Sequence, residues 1–280
     1  RLDHTKLRDD AGMNLTGKVF IVTGASSGIG EELSRVLAQK GALIVCAARR
    51  TEELERVSTA ITTSGGSALA VQTDITDLDA CHHLVQQTIN TYGKLDGLIL
   101  NAGISMWARF EDISDITFFQ DLINVNYLGA VNCCHAALPY LKKTQGKIVS
   151  CSTAQALMGF PNHSGYVASK HALHGFLETL GMELNGEISI LEAVLSWIRG
   201  TNLRDNAYGP EGNKLINSTR KHTSESVSLE ECVEQIVQAI EREKKTVYIP
   251  RKLSLVPFLN TFFKGFLQRK VTGAIDKNES

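Results

Sequence analysis

Residues 18–40 constrain the fold more than any other stretch. Residues 18–23 (KVFIVT) are a short, β-branched, apolar run, the pattern of a strand buried on both faces. Gly24-Ala25-Ser26-Ser27-Gly28-Ile29-Gly30 follows with no linker, and residues 31–40 have helical spacing. In a turn between a strand and a helix, residues this small let the backbone approach a diphosphate, whose charge then sits at the helix N-terminus. The spacing is GxxxGxG rather than GxGxxG, so the generic dinucleotide fingerprint is not met as written. A tight strand-to-helix connection with no ligand is the plainer alternative.

The alternation then repeats. Residues 42–48 read as a second strand and 51–64 as a helix broken by Gly65-Gly66. Residues 68–73 form a third strand ending at Asp74, and 77–92 another amphipathic helix. A fourth strand, 95–100, runs into Asn101-Ala102-Gly103. Strands alternating with helices predict a single doubly wound α/β domain of Rossmann type, with a central parallel sheet and helices on both faces. Ligands bind such sheets beyond the carboxyl ends of the strands, where Gly24, Arg49, Asp74 and Asn101 all fall. The second strand ends Ala48-Arg49-Arg50, with no carboxylate to take a ribose 2′-hydroxyl. An arginine there suits a 2′-phosphate, so NADP(H) is expected over NAD(H), with Arg49 on the phosphate. Arginines that only cap a surface turn are the plainer alternative.

Further along, Tyr166 and Lys170 stand four apart in Ser164-Gly165-Tyr166-Val167-Ala168-Ser169-Lys170. On a helix that spacing puts both side chains on one face. A phenol is a poor acid at neutral pH, and a nearby ammonium is expected to lower its pKa and fit it for proton exchange with a carbonyl or alcohol oxygen. YxxxK alone is a weak signal; its weight comes from the sheet pattern before it.

The bulk properties exclude several classes. The 280 residues are 43% hydrophobic and 21% charged, with a formal net charge of −1. That balance offers no basic field for nucleic acid. The 8 His and 6 Cys form no ligand pattern, so no metal is expected, and the thiols read as buried and free, as in a reducing, cytoplasmic setting. No apolar run reaches the length of a membrane span. Residues 1–12 are read as a tag or loose extension before the domain at 13–250.

Thr23 to Gly30, Asn101-Ala102-Gly103, Val125-Asn126 and Tyr166 through Lys170 together resemble the short-chain dehydrogenase/reductase family, in its order and at its separations. The overall run is similar to its NADP(H)-linked branch of hydroxysteroid dehydrogenases and lipid-ketone reductases. The resemblance implies a catalytic Asn, Ser, Tyr and Lys. Asn126, on a long helix, would hold a proton-relay water, Tyr166 would be the acid/base, and Lys170 its activator and a ligand of the nicotinamide ribose. The cofactor set it implies is Gly24, Ser26, Ser27, Gly28, Ile29, Gly30, Arg49, Asp74, Asn101, Tyr166, Lys170 and Thr201, the last on the carboxamide.

Two departures stand out. The position thirteen before the tyrosine is Thr153, not Ser, and is expected to orient the substrate, with Ser152 as the fallback. Ser196-Trp197 replaces the usual Pro-Gly turn after the strand at 188–195, and Trp197 fills space near the nicotinamide or packs in the core. Residues 202–226 are polar, glycine-broken and expected to cover the substrate as a lid. Residues 253–267 (LSLVPFLNTFFKGFL) are apolar, aromatic and flanked by bases. This tail docks on the domain, covers the substrate mouth, lies in a membrane interface or meets a partner subunit.

The expectation is hydride transfer between NADP(H) and a ketone or secondary alcohol, apolar and lipid- or steroid-like, in a homodimer or homotetramer. A dinucleotide-binding sensor or scaffold that has lost catalysis is the alternative.

Overall fold

The structure, a computed structural model, describes residues 12–204, 206–215 and 226–279. Residues 1–11 and 280, and residue 205 and residues 216–225 of the expected lid, lie outside these. Seven strands form one sheet: β1 (Val19–Thr23), β2 (Leu43–Ala48), β3 (Ser67–Gln72), β4 (Gly97–Leu100), β5 (Lys147–Thr153), β6 (Ser189–Leu195) and β7 (Thr246–Ile249). Every pair is parallel, in the order β3-β2-β1-β4-β5-β6-β7.

The strands alternate between two apolar layers. Phe20, Val22, Ile44 and Cys46 face the layer completed by α1 (Gly28–Gln39), α2 (Thr51–Thr63) and α7 (Leu229–Glu241). Val19, Ile21, Val45 and Leu98 face the layer of α3 (Leu78–Tyr92), α5 (Gly129–Thr144) and α6 (Ser164–Glu183). Both faces of the sheet are covered, which is why its strands read as continuous apolar runs. The strand order reverses between β1 and β4, and the chain leaves both at their carboxyl ends on either side of one crevice. All six cysteines are free and buried.

Several boundaries differ from the sequence reading. Helix α1 starts at Gly28, so two of the three motif glycines are its first turn rather than its approach. Strand β5 has Thr153, the expected substrate-orienting residue, as its last position. Asn126 lies not in a regular long helix but in a π-helical turn, residues 124–128, between α4 (Phe118–Ile123) and α5. The tail folds as two helices, α8 (Val256–Phe262) and α9 (Lys264–Glu279). No helix among the described residues is long and apolar enough to cross a membrane.

Candidate active site

A cleft of about 520 Å³ opens along the carboxyl ends of β1, β2, β4 and β5. At one end is the glycine turn, braced by Thr23 and Asn101. Thr23 Oγ1 donates to the Ile99 carbonyl (3.0 Å) and accepts from the backbone N–H groups of Asn101 (3.0 Å) and Ala102 (3.1 Å). Asn101 Nδ2 donates to the carbonyls of Thr23 (3.0 Å) and Gly24 (3.3 Å). Asn101 lines the cleft, but its amide nitrogen holds the turn rather than reaching outward.

Gly24 has φ +66°, and a Cβ there would lie 2.9 Å from the Ala102 Cα. A Cβ on Gly30 would overlap the Gly24 carbonyl oxygen. Neither position accepts a side chain without moving backbone. Gly30 is therefore a packing residue behind the turn, whereas Ser26, Ser27, Gly28 and Ile29 line the cleft with the open N–H groups of the first turn of α1. The serine hydroxyls are bridged by an arginine that sequence reasoning passed over: Arg50 Nη2 donates to both Ser26 Oγ and Ser27 Oγ at 3.0 Å. Arg49 sits exposed at the rim, and Asp74 lines the wall with Oδ1 accepting from Thr76 N–H (3.0 Å).

At the other end, α6 brings Tyr166 and Lys170 into the wall on one face, the Lys170 Nζ 5.8 Å from the Tyr166 ring centroid. Both are buried. Neither the Tyr166 hydroxyl nor the Lys170 ammonium makes a hydrogen bond or ion pair with a described residue. Burial pushes the phenol above its ordinary 10.0 and the ammonium below its ordinary 10.5. The expected acidification of Tyr166 is thus reversed in the protein alone: the loss of water around the phenol disfavours its charged form.

Ser152 and Thr153 both line the cleft where β5 ends. Thr153 Oγ1 accepts from the Gln155 N–H (3.3 Å), which leaves its hydroxyl proton available. Asn126 does not reach the cleft. Its Oδ1 accepts from Ile104 N–H (2.8 Å), and its Nδ2 donates to the Ile104 carbonyl and to Ser169 Oγ, both at 2.9 Å. It clamps the loop after β4 to α6. Thr201 lines the cleft beside Gly28.

The remaining wall is aromatic. Trp107 meets His163 edge-on at 4.7 Å, Phe160 meets His163 at 5.3 Å, and Trp197 lies 5.9 Å from both Phe160 and His163. Trp197 therefore belongs to the site wall and not to the core, with the Arg204 guanidinium 4.5 Å above its ring. Nothing in sequence spacing joins positions 107, 160, 163 and 197; the fold alone does.

A family model described as short chain dehydrogenase matches residues 18–209. The chain belongs to that family. Short chain dehydrogenases are oxidoreductases, and this one is an oxidoreductase acting on CH–OH groups. Among its relatives, 11-beta-hydroxysteroid dehydrogenase 1A of Arabidopsis thaliana is 36% identical over 242 residues, covering 85% of this chain and 69% of that protein. The 11-beta-hydroxysteroid dehydrogenase A of Sesamum indicum is 33% identical over the same coverage. In fold, the chain is similar to an alcohol dehydrogenase of the archaeon Thermococcus sibiricus, solved with 5-hydroxy-NADP. The TM-score is 0.70 and the identity 23%, over 82% of this chain and 95% of that one.

Proposed function

We propose that this short chain dehydrogenase transfers a hydride between NADP(H) and an apolar ketone or secondary alcohol, lipid- or steroid-like in character. The observation that carries the reading is a pair of polar groups with no hydrogen-bond or ion-pair partner among the described residues, the Tyr166 hydroxyl and the Lys170 ammonium, in the wall of a cleft whose far end is a glycine-rich turn. The residues fit a dinucleotide. Gly24 and the first turn of α1 leave room and N–H donors for its diphosphate, Arg49 stands at the rim for a 2′-phosphate, and Thr201 sits beside the turn for a carboxamide.

When bound, the cofactor supplies or accepts the hydride; the chain's own residues manage the oxygen. Tyr166 is protonated near pH 7, as an ordinary phenol is, and donates to the substrate oxygen as negative charge develops there in reduction. Lys170, on the same helix face, stabilises the phenolate that remains. Thr153 turns its free hydroxyl proton to the same oxygen, with Ser152 one residue earlier as the fallback. Asn126 is a positioning residue, setting α6 against the loop after β4. The aromatic wall with Met106 and Met158 favours an apolar substrate body, and the relatives' names point the same way.

The test is a ketone panel with purified protein and NADPH, followed at the reduced-nicotinamide absorbance band. Ketone-dependent absorbance loss, faster with NADPH than NADH, is expected. Protection against melting by NADPH without any absorbance loss would instead identify a dinucleotide-binding sensor.

A further inference from the structure

The tail is only half covered by the domain it follows. Val256 is buried and Asn260 Nδ2 donates to the Leu157 carbonyl (2.9 Å), so one side of α8 is tied to the turn that follows Thr153. Leu253, just before α8, lines the cleft. The other side is open. Leu255, Phe258, Phe262, Phe263 and Phe266 are 57, 54, 67, 53 and 48% exposed. Phe258 lies 5.0 Å from Phe262 and 5.9 Å from Phe263, ring to ring, so the aromatics form a continuous patch beside the cleft.

The charge around this patch is one-sided. The 32 residues between Glu243 and Asp276 hold seven Lys and Arg and no Asp or Glu. The rest of the chain holds 22 bases against 30 acids, so a net charge of −1 conceals a basic tail on an acidic body. Arg251, Lys252, Lys264, Arg269 and Lys270 are all exposed, and Lys270 Nζ stands 5.9 Å from the Phe266 ring centroid.

We propose that this face docks on an anionic lipid leaflet, with the phenylalanines at the headgroup–acyl boundary and the bases among the phosphates. Exposed aromatics rimmed by bases, on helices too short to span, are the pattern of a protein that lies on a bilayer. A second copy is the weaker occupant, because two-fold pairing through this face would set Arg251, Lys252, Lys264, Arg269 and Lys270 against the same five bases. Docking places the cleft mouth at the lipid surface, where an apolar substrate would be concentrated.

Co-flotation of the 280-residue chain with vesicles tests this. Binding to phosphatidylcholine vesicles containing about a third phosphatidylserine should exceed binding to phosphatidylcholine alone by roughly tenfold, and fall with added salt. The triple substitution Phe258→Ser, Phe262→Ser, Phe263→Ser should lower anionic binding by about tenfold, with an unchanged far-ultraviolet dichroism spectrum. Lys264→Glu, Arg269→Glu, Lys270→Glu should erase the preference for anionic lipid. Two results would overturn the proposal, the first needing no variant to fold. One is equal or negligible flotation with both vesicle types. The other is a dimer by light scattering that Phe262→Ser converts to monomer.

Discussion

Replacing Tyr166 by Phe removes one oxygen and leaves the packing. The ring is 7% exposed and lies among Met106, Phe118 and Leu122, contacts that a phenyl group keeps. The hydroxyl has no hydrogen bond to a described residue, so its removal orphans no partner. A buried polar group without a partner costs about 1–3 kcal/mol, and the cleft reduces that by admitting water. Tyr166→Phe is therefore expected to leave stability unchanged or raise it by up to about 1 kcal/mol, at most about 2–4 °C in Tm for a chain of this size. Catalysis should move the other way. A positioned acid contributes roughly 10²–10⁴-fold, so kcat for ketone reduction should fall by that factor while NADPH binding persists. Thermal melting, steady-state NADPH oxidation and a fluorescence titration on one preparation read all three quantities. A loss of about 2 kcal/mol or more would mean the hydroxyl braces the fold. A kcat within about threefold of wild type would remove Tyr166 from the chemistry.

Three further outcomes follow from particular contacts. Arg49→Asp should lower the NADP(H)-to-NAD(H) preference by roughly ten- to a hundredfold in kcat/KM, the worth of a charge-assisted bond to phosphate; an unchanged ratio there with a shifted ratio in Arg50→Asp would transfer the role to Arg50. Gly30→Ala drives a methyl group into the Gly24 carbonyl and should cost about 1–3 kcal/mol in denaturant unfolding; a change below about 0.5 kcal/mol would show that the turn can relax. His174 Nδ1 lies 2.8 Å from Glu192 Oε2, and that hydrogen bond raises the imidazole pKa above 6.5. A raised folded-state pKa gives stability that is complete below 6.5 and fades as pH rises through the folded value. The melting-temperature advantage of wild type over His174→Gln should thus be larger near about pH 5.5 than near about pH 8.5. An advantage independent of pH would show that His174 is not charged in the pair.

The sheet was legible in the sequence because its central strands β1, β2, β4 and β5 are buried on both faces and so read as apolar runs ended by a turn residue. The Tyr166–Lys170 pair was legible for a similarly local reason, since four residues on a helix place both side chains on one face. The Asn126 and Gly30 positions were found, but not what they do here. Asn126 clamps a loop to α6, and Gly30 packs behind the turn, and both outcomes depend on which backbone atoms arrive from elsewhere in the chain.

The sequence by itself determined the alternation of strands and helices, the glycine-rich turn and the spacing of the tyrosine and lysine, because all of these are short-range properties of backbone and period. Only the tertiary structure decided that Arg50 bridges the two turn serines, that Trp107, Phe160, His163 and Trp197 make one wall, and that burial moves the Tyr166 pKa upward. Those features arise where segments far apart in the chain exclude water together, and desolvation is a property of the enclosure rather than of any residue within it.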